Sequence, residues 1–173
     1  QRIYESNEQE YRNLYYRMHL EVDTPLDKVR KAVISDGSRE KIIFRTSDHG
    51  DLLGAHGGLH QKWFNLYDEA TRVPFEIVKY GNRQVSRGII ESIPTSHVDL
   101  IPTALALSGL DQRTLEEQLA PEFTEFHPLP GRDLSPLLED PDAEEFRNRA
   151  VYFMTRDNML EGDTLASAMA RGL

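Results

Sequence analysis

With 173 residues the chain is long enough for one compact domain, which at this size buries roughly 70% of its unfolded surface, and its 39% hydrophobic and 28% charged content is that of a folded, soluble protein rather than a disordered one. A net charge of -9 sets the long-range field against nucleic acid and anionic membranes, no stretch approaches the roughly 20 apolar residues a bilayer span needs, and residues 1–20 lack the apolar core of a signal peptide. The absence of cysteine excludes disulfides, thiolate metal sites and a Cys nucleophile within this chain, and is compatible with a reducing, cytoplasmic setting.

Residues 8–32 place Tyr11, Leu14, Tyr15, Met18, Val22, Leu26, Val29 and Val33 at spacings of three and four, the pattern of an amphipathic helix. Pro25 falls inside that pattern, where an interior proline costs about 3 kcal/mol, and predicts a kink or a restart with Thr24 as N-cap. The turn-forming run Ser35-Asp36-Gly37-Ser38 ends the helix. Residues 41–46 contain the apolar run Ile42-Ile43-Phe44 and predict a buried strand that delivers Ser47-Asp48-His49-Gly50-Asp51 at its C-terminal end.

The three glycines of residues 54–58 predict a long loop over 50–66 with a helical turn near Leu52. A second strand over 73–79 enters through Pro74, and a helix over 96–107 takes Ser96 as its N-cap. This order of elements predicts an α/β fold with parallel strands. From Asp111 onward, prolines at 121, 128, 130, 136 and 141 and acidic runs predict an irregular connection, with one further strand over 150–155. The expected division is therefore 1–110 as α/β core and 111–173 as connection and C-terminal subdomain.

A carboxylate followed directly by an imidazole offers an O and an N donor to one divalent cation where the backbone turns sharply, and Gly50 permits that turn. By itself Asp-His-Gly is a weak signal, more often a turn-forming Asp beside a surface His. His56 and His60 stand four apart, but Gly57 and Gly58 between them argue against the helix an H-x-x-x-H zinc site uses. That leaves His56 as a loop-fixing hydrogen-bonder. Glu69 and Arg72, at i and i+3, have the spacing of a structural pair beside Tyr67, and His97 and Asp99 that of helix-start groups.

The string from Thr46 to Pro74, TSDHGDLLGAHGGLHQKWFNLYDEATRVP, closely resembles the second half of the sulfatase family. In that family an S-D-[HN]-G-[DE] strand end, a G-x-H-G loop with a downstream Lys, and Y-x-E-x-x-R-V-P follow in this order. Residues 96–103, SHVDLIPT, resemble the helix opening placed after the next strand, and residues 131–137, GRDLSPL, the G-x-S-L-x-P-L segment. The resemblance runs over roughly residues 8–155.

The resemblance implies an alkaline-phosphatase-like three-layer fold with a mostly parallel sheet and a small C-terminal subdomain, of which this chain is a part. It implies hydrolysis of a small-molecule sulfate monoester, with Asp48 and His49 as ligands of a divalent metal ion. Calcium, magnesium, manganese and zinc are not distinguished, although an imidazole donor tilts the choice toward manganese or zinc. Lys62 corresponds to the lysine that contacts a sulfate oxygen near the leaving group, and His60 stands where it would touch substrate.

The family nucleophile is a formylglycine made from the Cys or Ser of C-x-P-x-R or S-x-P-x-R. The nearest match, Ser92-Ile93-Pro94, continues into Thr95-Ser96 without the arginine. The nucleophile, the remaining metal ligands and the rest of the sulfatase chain are thus expected upstream, and the isolated chain is expected to be inactive. A phosphonate or phosphate monoester hydrolase of the same superfamily, or a non-catalytic truncated homologue, are the alternatives.

Overall fold

A computed structural model describes residues 6–62, 65–81, 88–156 and 169–172. They fall into two compact units, divided after Gly81 and before Tyr152, with the last segment returning to the first unit.

The first unit opens with α1 (Glu8–Ser35), a single helix of 28 residues. Pro25 lies inside it, and the predicted restart at Thr24 does not occur. The ion pairs Arg17 with Glu21 (3.5 Å), Asp27 with Arg30 (2.7 Å) and Asp27 with Lys31 (2.6 Å) lie on either side of the proline and, screened by solvent, add only weakly to the helix. No residue of α1 is buried, so the Glu21 carbonyl that loses its Pro25 partner faces water rather than a dry core. The helix stops where expected, with Asp36 extended and its carboxylate accepting the Ser38 amide at 3.0 Å.

Strand β1 (Lys41–Thr46) pairs with β2 (Phe75–Tyr80) from Lys41↔Tyr80 to Thr46↔Phe75. The pairing is antiparallel, which corrects the parallel arrangement expected from element order. A parallel pair needs a crossover, usually a helix of a dozen or more residues with its loops. Here the connection holds only the single turns α2 (Ala55–Gly58) and α3 (Asp68–Thr71), and the chain returns by the short way. Ile43 opposite Val78 and Phe44 opposite Ile77 supply the half-buried apolar pairs, and Phe44 and Phe75 tilt together at 6.4 Å. Further on, β3 (Phe153–Arg156), within a residue of the strand end expected over 150–155, pairs antiparallel with β4 (Met169–Gly172), a strand the sequence did not suggest.

In the second unit Ser96 caps a 3-10 turn (His97–Asp99) that runs into α4 (Leu100–Leu107). Ser96 and Asp99 form the reciprocal capping box, with the Ser96 amide 2.8 Å from the Asp99 carboxylate. The same buried carboxylate accepts the Arg132 amide at 2.9 Å and both terminal nitrogens of Arg149 at 2.6 and 2.7 Å. Thr103, also fully buried, donates to the Asp99 carbonyl at 2.6 Å and accepts the Leu134 amide at 2.9 Å. Gly131 fits only as glycine, because a Cβ there would sit 1.9 Å from the Val98 carbonyl. The GRDLSPL segment is thereby sewn onto the start of α4, with Leu134, Leu137, Phe146 and Ile93 as core. A short helix, α5 (Gln112–Leu119), interrupts the stretch expected to be irregular; Asp111 caps it by accepting the Thr114 amide at 2.9 Å.

Burial pushes the Asp99 carboxyl up, but the Arg149 guanidinium and the Arg132 and Ser96 amides outweigh it and hold the group below the usual carboxylate range. Asp99 thus contributes stability that is complete above the ordinary carboxylate pKa and is lost as pH falls through the lowered folded value. Arg149→Ala leaves a buried charge unpaired. It is expected to destabilise the unit by about 3–5 kcal/mol and to move acid unfolding to higher pH, both measurable by denaturant and acid titration followed by circular dichroism.

Candidate active site

The site is built at the carboxyl end of β1, where the apolar run gives way to Ser47, Asp48, His49, Gly50 and Asp51. Gly50 anchors this end: its amide donates to the Ala70 carbonyl at 2.9 Å, and a Cβ at this position would stand 1.9 Å from the Glu69 carbonyl oxygen. Any side chain here would push the strand end away from α3.

The backbone then turns so that the Asp48 and His49 side chains face one another. The Asp48 carboxylate accepts the His49 amide at 2.9 Å, and Ser47 Oγ donates to the His49 carbonyl at 2.8 Å. His49 Nδ1 lies 2.7 Å from the Gly50 carbonyl, which accepts only, so Nδ1 carries a proton. In the neutral ring the lone pair is therefore on Nε2, which stands 3.5 Å from Asp48 Oδ2. The Asp48 side chain is 85% exposed and that of His49 36%.

A carboxylate oxygen and an imidazole lone pair aimed at one another, with the tautomer fixed by a backbone carbonyl, is a donor set that fits a divalent cation. Among the described residues no cluster of three or more His, Cys, Asp or Glu side chains that could hold a metal ion is present. The His49 backbone N–H first, and then the positive charges of the His49 ring when it is protonated and of Lys62, hold the Asp48 carboxyl below its ordinary range.

Lys62 is thus near enough to act on the Asp48 carboxylate, although it follows Asp48 by fourteen positions of glycine-rich chain. The chain between them is folded into a narrow-necked loop. Its neck is closed by Leu52 N donating to the Gln61 carbonyl at 3.0 Å, with Leu52 only 2% exposed, and by Gly54 N donating to the Leu59 carbonyl at 2.7 Å. Within it Leu53 (φ 47°), His56 (φ 54°) and Gln61 (φ 58°) join Gly54, Gly57 and Gly58 in the left-handed region. The half-buried His60 lies at the neck, one residue before Gln61.

His56 does fix the loop: its Nε2 is 3.1 Å from Glu69 Oε2 and its ring stacks on Tyr67 at 3.6 Å. Glu69 consequently pairs with His56 and not with Arg72, the partner that i, i+3 spacing suggested. A residue to which the sequence reading gave no role is Asp51. Its Oδ1 accepts the amides of Leu53 at 2.8 Å and Gln61 at 3.1 Å, and its Oδ2 accepts the Tyr11 hydroxyl of α1 at 2.7 Å. The second acid of the S-D-H-G-D string was the only signal for it.

A sequence model of the sulfatase family matches residues 1–110. The chain belongs to the sulfatase family. It is 37% identical over 109 residues to arylsulfatase K of Danio rerio, an alignment covering 61% of this chain and 20% of that protein. It is 28% identical over 149 residues to the ulvan-active sulfatase of Formosa agariphila, covering 86% of this chain and 26% of that one. With the N-acetylglucosamine-6-O-sulfatase of Bacteroides thetaiotaomicron it shares 30% over 147 residues, 83% of this chain and 23% of the relative. The sulfatase chain described here thus spans about a fifth to a quarter of the length of the curated relatives it matches. No solved structure gives a significant match. Membership carries with it the α/β architecture of alkaline-phosphatase-like enzymes.

Proposed function

We propose that the parent protein of this sulfatase chain hydrolyses a sulfate monoester, and that residues 1–173 supply one side of its active site. The observation that supports this best is the Asp48–His49 pair, a carboxylate and a tautomer-fixed imidazole converging at the end of β1 with the Lys62 charge acting on the same carboxylate. Asp48 and His49 would hold a divalent metal ion, calcium, magnesium, manganese or zinc, and such an ion supplies Lewis acidity toward an anionic sulfate oxygen.

The chain's own residues do the rest on this side. Lys62 places an ammonium where negative charge grows on the leaving oxygen as the S–O bond breaks, and His60 at the loop neck contacts the substrate. The nucleophile, a formylglycine, and the remaining ligands belong to parts of the parent protein outside these residues. Residues 1–110 form the α/β core in this reading, and 111–173 the connection and C-terminal subdomain.

The test is chemical trapping. A hydrazide probe is expected to label one tryptic peptide of the full-length parent protein, at a C-x-P-x-R or S-x-P-x-R sequence. A parent protein that carries no aldehyde, or that labels elsewhere, would contradict the proposed nucleophile.

A further inference from the structure

We propose that Asp51 is a positioning residue for Lys62, holding the strained neck of the loop so that the ammonium meets the leaving oxygen. The inference rests on the reading of Lys62 given above. It begins from the backbone: among the described residues between the strand end and Lys62, the non-glycine positions with left-handed φ are Leu53, His56 and Gln61. Such conformations are sparsely populated by non-glycine residues and persist only where the surroundings over-determine them.

Each of the three is held by a side chain. His56 is fixed by Glu69 and Tyr67. The other two, Leu53 and Gln61, both give their amides to the same oxygen, Asp51 Oδ1, while Oδ2 is tied through Tyr11 to α1. One carboxylate oxygen of Asp51 thus accepts from both strained ends of the loop. Leu52 N on Gln61 O closes the neck from the other strand of chain.

Lys62 follows Gln61 directly, so the direction in which it leaves the neck is set by the Gln61 dihedrals. Loss of the carboxylate frees Leu53 and Gln61 to relax toward negative φ, which swings Lys62 away from the end of β1. Displacements of about 1 Å from a reacting centre are enough to cost on the order of 10²-fold in rate.

The variants separate positioning from simple support. Asp51→Ala in the full-length parent enzyme is expected to lower kcat about 10²-fold per metal-loaded, folded molecule, with KM moved far less. Asp51→Asn keeps an oxygen for the two amides and an NH2 to donate to the Tyr11 hydroxyl oxygen; it is expected to recover kcat to within about tenfold of wild type, because the neck is retained. The double variant Asp51→Ala/Lys62→Ala is expected to match Lys62→Ala alone, since placement stops mattering once the ammonium is gone.

A double variant slower than Lys62→Ala by the full Asp51→Ala factor would overturn the role of Asp51 while leaving Lys62 in place. An Asp51→Asn enzyme as slow as Asp51→Ala would overturn the hydrogen-bonded neck as its cause. Unchanged kcat in Lys62→Ala would instead remove the site reading on which the inference stands.

Discussion

Asp48→Ala is expected to strip the parent enzyme of its metal and its turnover together. The Asp48 carboxyl is held below its ordinary range by the His49 backbone N–H first and with help from the Lys62 charge, and in the neutral His49 ring it faces the Nε2 lone pair at 3.5 Å. Removing it deletes half of the donor pair that this chain contributes and leaves the cation's charge poorly balanced. Replacing groups that merely orient a ligand costs about 10–100-fold in metal affinity, and loss of the ligand itself is expected to exceed that. Elemental analysis of dialysed protein, paired with turnover, checks the result. Full metal stoichiometry in Asp48→Ala would mean that the ion is held by other groups.

Lys62→Ala is expected to separate what Asp48→Ala joins. In the proposed mechanism the ammonium acts on charge that develops during S–O cleavage, so its loss should lower kcat by about 10²- to 10³-fold, the usual effect of deleting one preorganised electrostatic group, with the metal still bound. The deficit should shrink on sulfates with strongly acidic leaving groups, whose departing oxygen needs less stabilisation. Measurement of kcat across a series of aryl and alkyl sulfates gives both quantities. Wild-type kcat on an unactivated alkyl sulfate would return Lys62 to the ordinary solvated lysines.

The parts of this account that were legible in the sequence are those set by neighbours along the chain. Ile42-Ile43-Phe44 followed by a polar cluster describes a strand with a site at its end, and Asp48 and His49, adjacent in sequence, are brought together by one turn of backbone. The helix over residues 8–32, its stop at Ser35-Asp36, and the Ser96–Asp99 capping box follow from spacings of three and four.

What escaped the reading depends on partners far apart in sequence. Asp51 finds Tyr11 forty residues away, and Asp99 finds Arg149 fifty residues away; no local pattern announces either pairing. Tyr11 reads as one more apolar position of an amphipathic helix, whereas its hydroxyl ends on the loop neck. The antiparallel β1–β2 pair went unforeseen because the order of elements was given more weight than the missing crossover helix between them. Of the kink or restart that Pro25 suggests, the restart does not occur, because no residue of α1 is buried and water is available to the freed carbonyl.

The central claim, that this chain forms part of a site for sulfate ester hydrolysis, is tested most directly by offering the full-length, metal-loaded parent protein an equimolar mixture of one aryl sulfate and the corresponding aryl phosphate and measuring the inorganic anions released. The account predicts release of sulfate well ahead of phosphate, dependent on the divalent metal ion and absent in Asp48→Ala. Predominant release of phosphate, or sulfate release that survives Asp48→Ala undiminished, would contradict it.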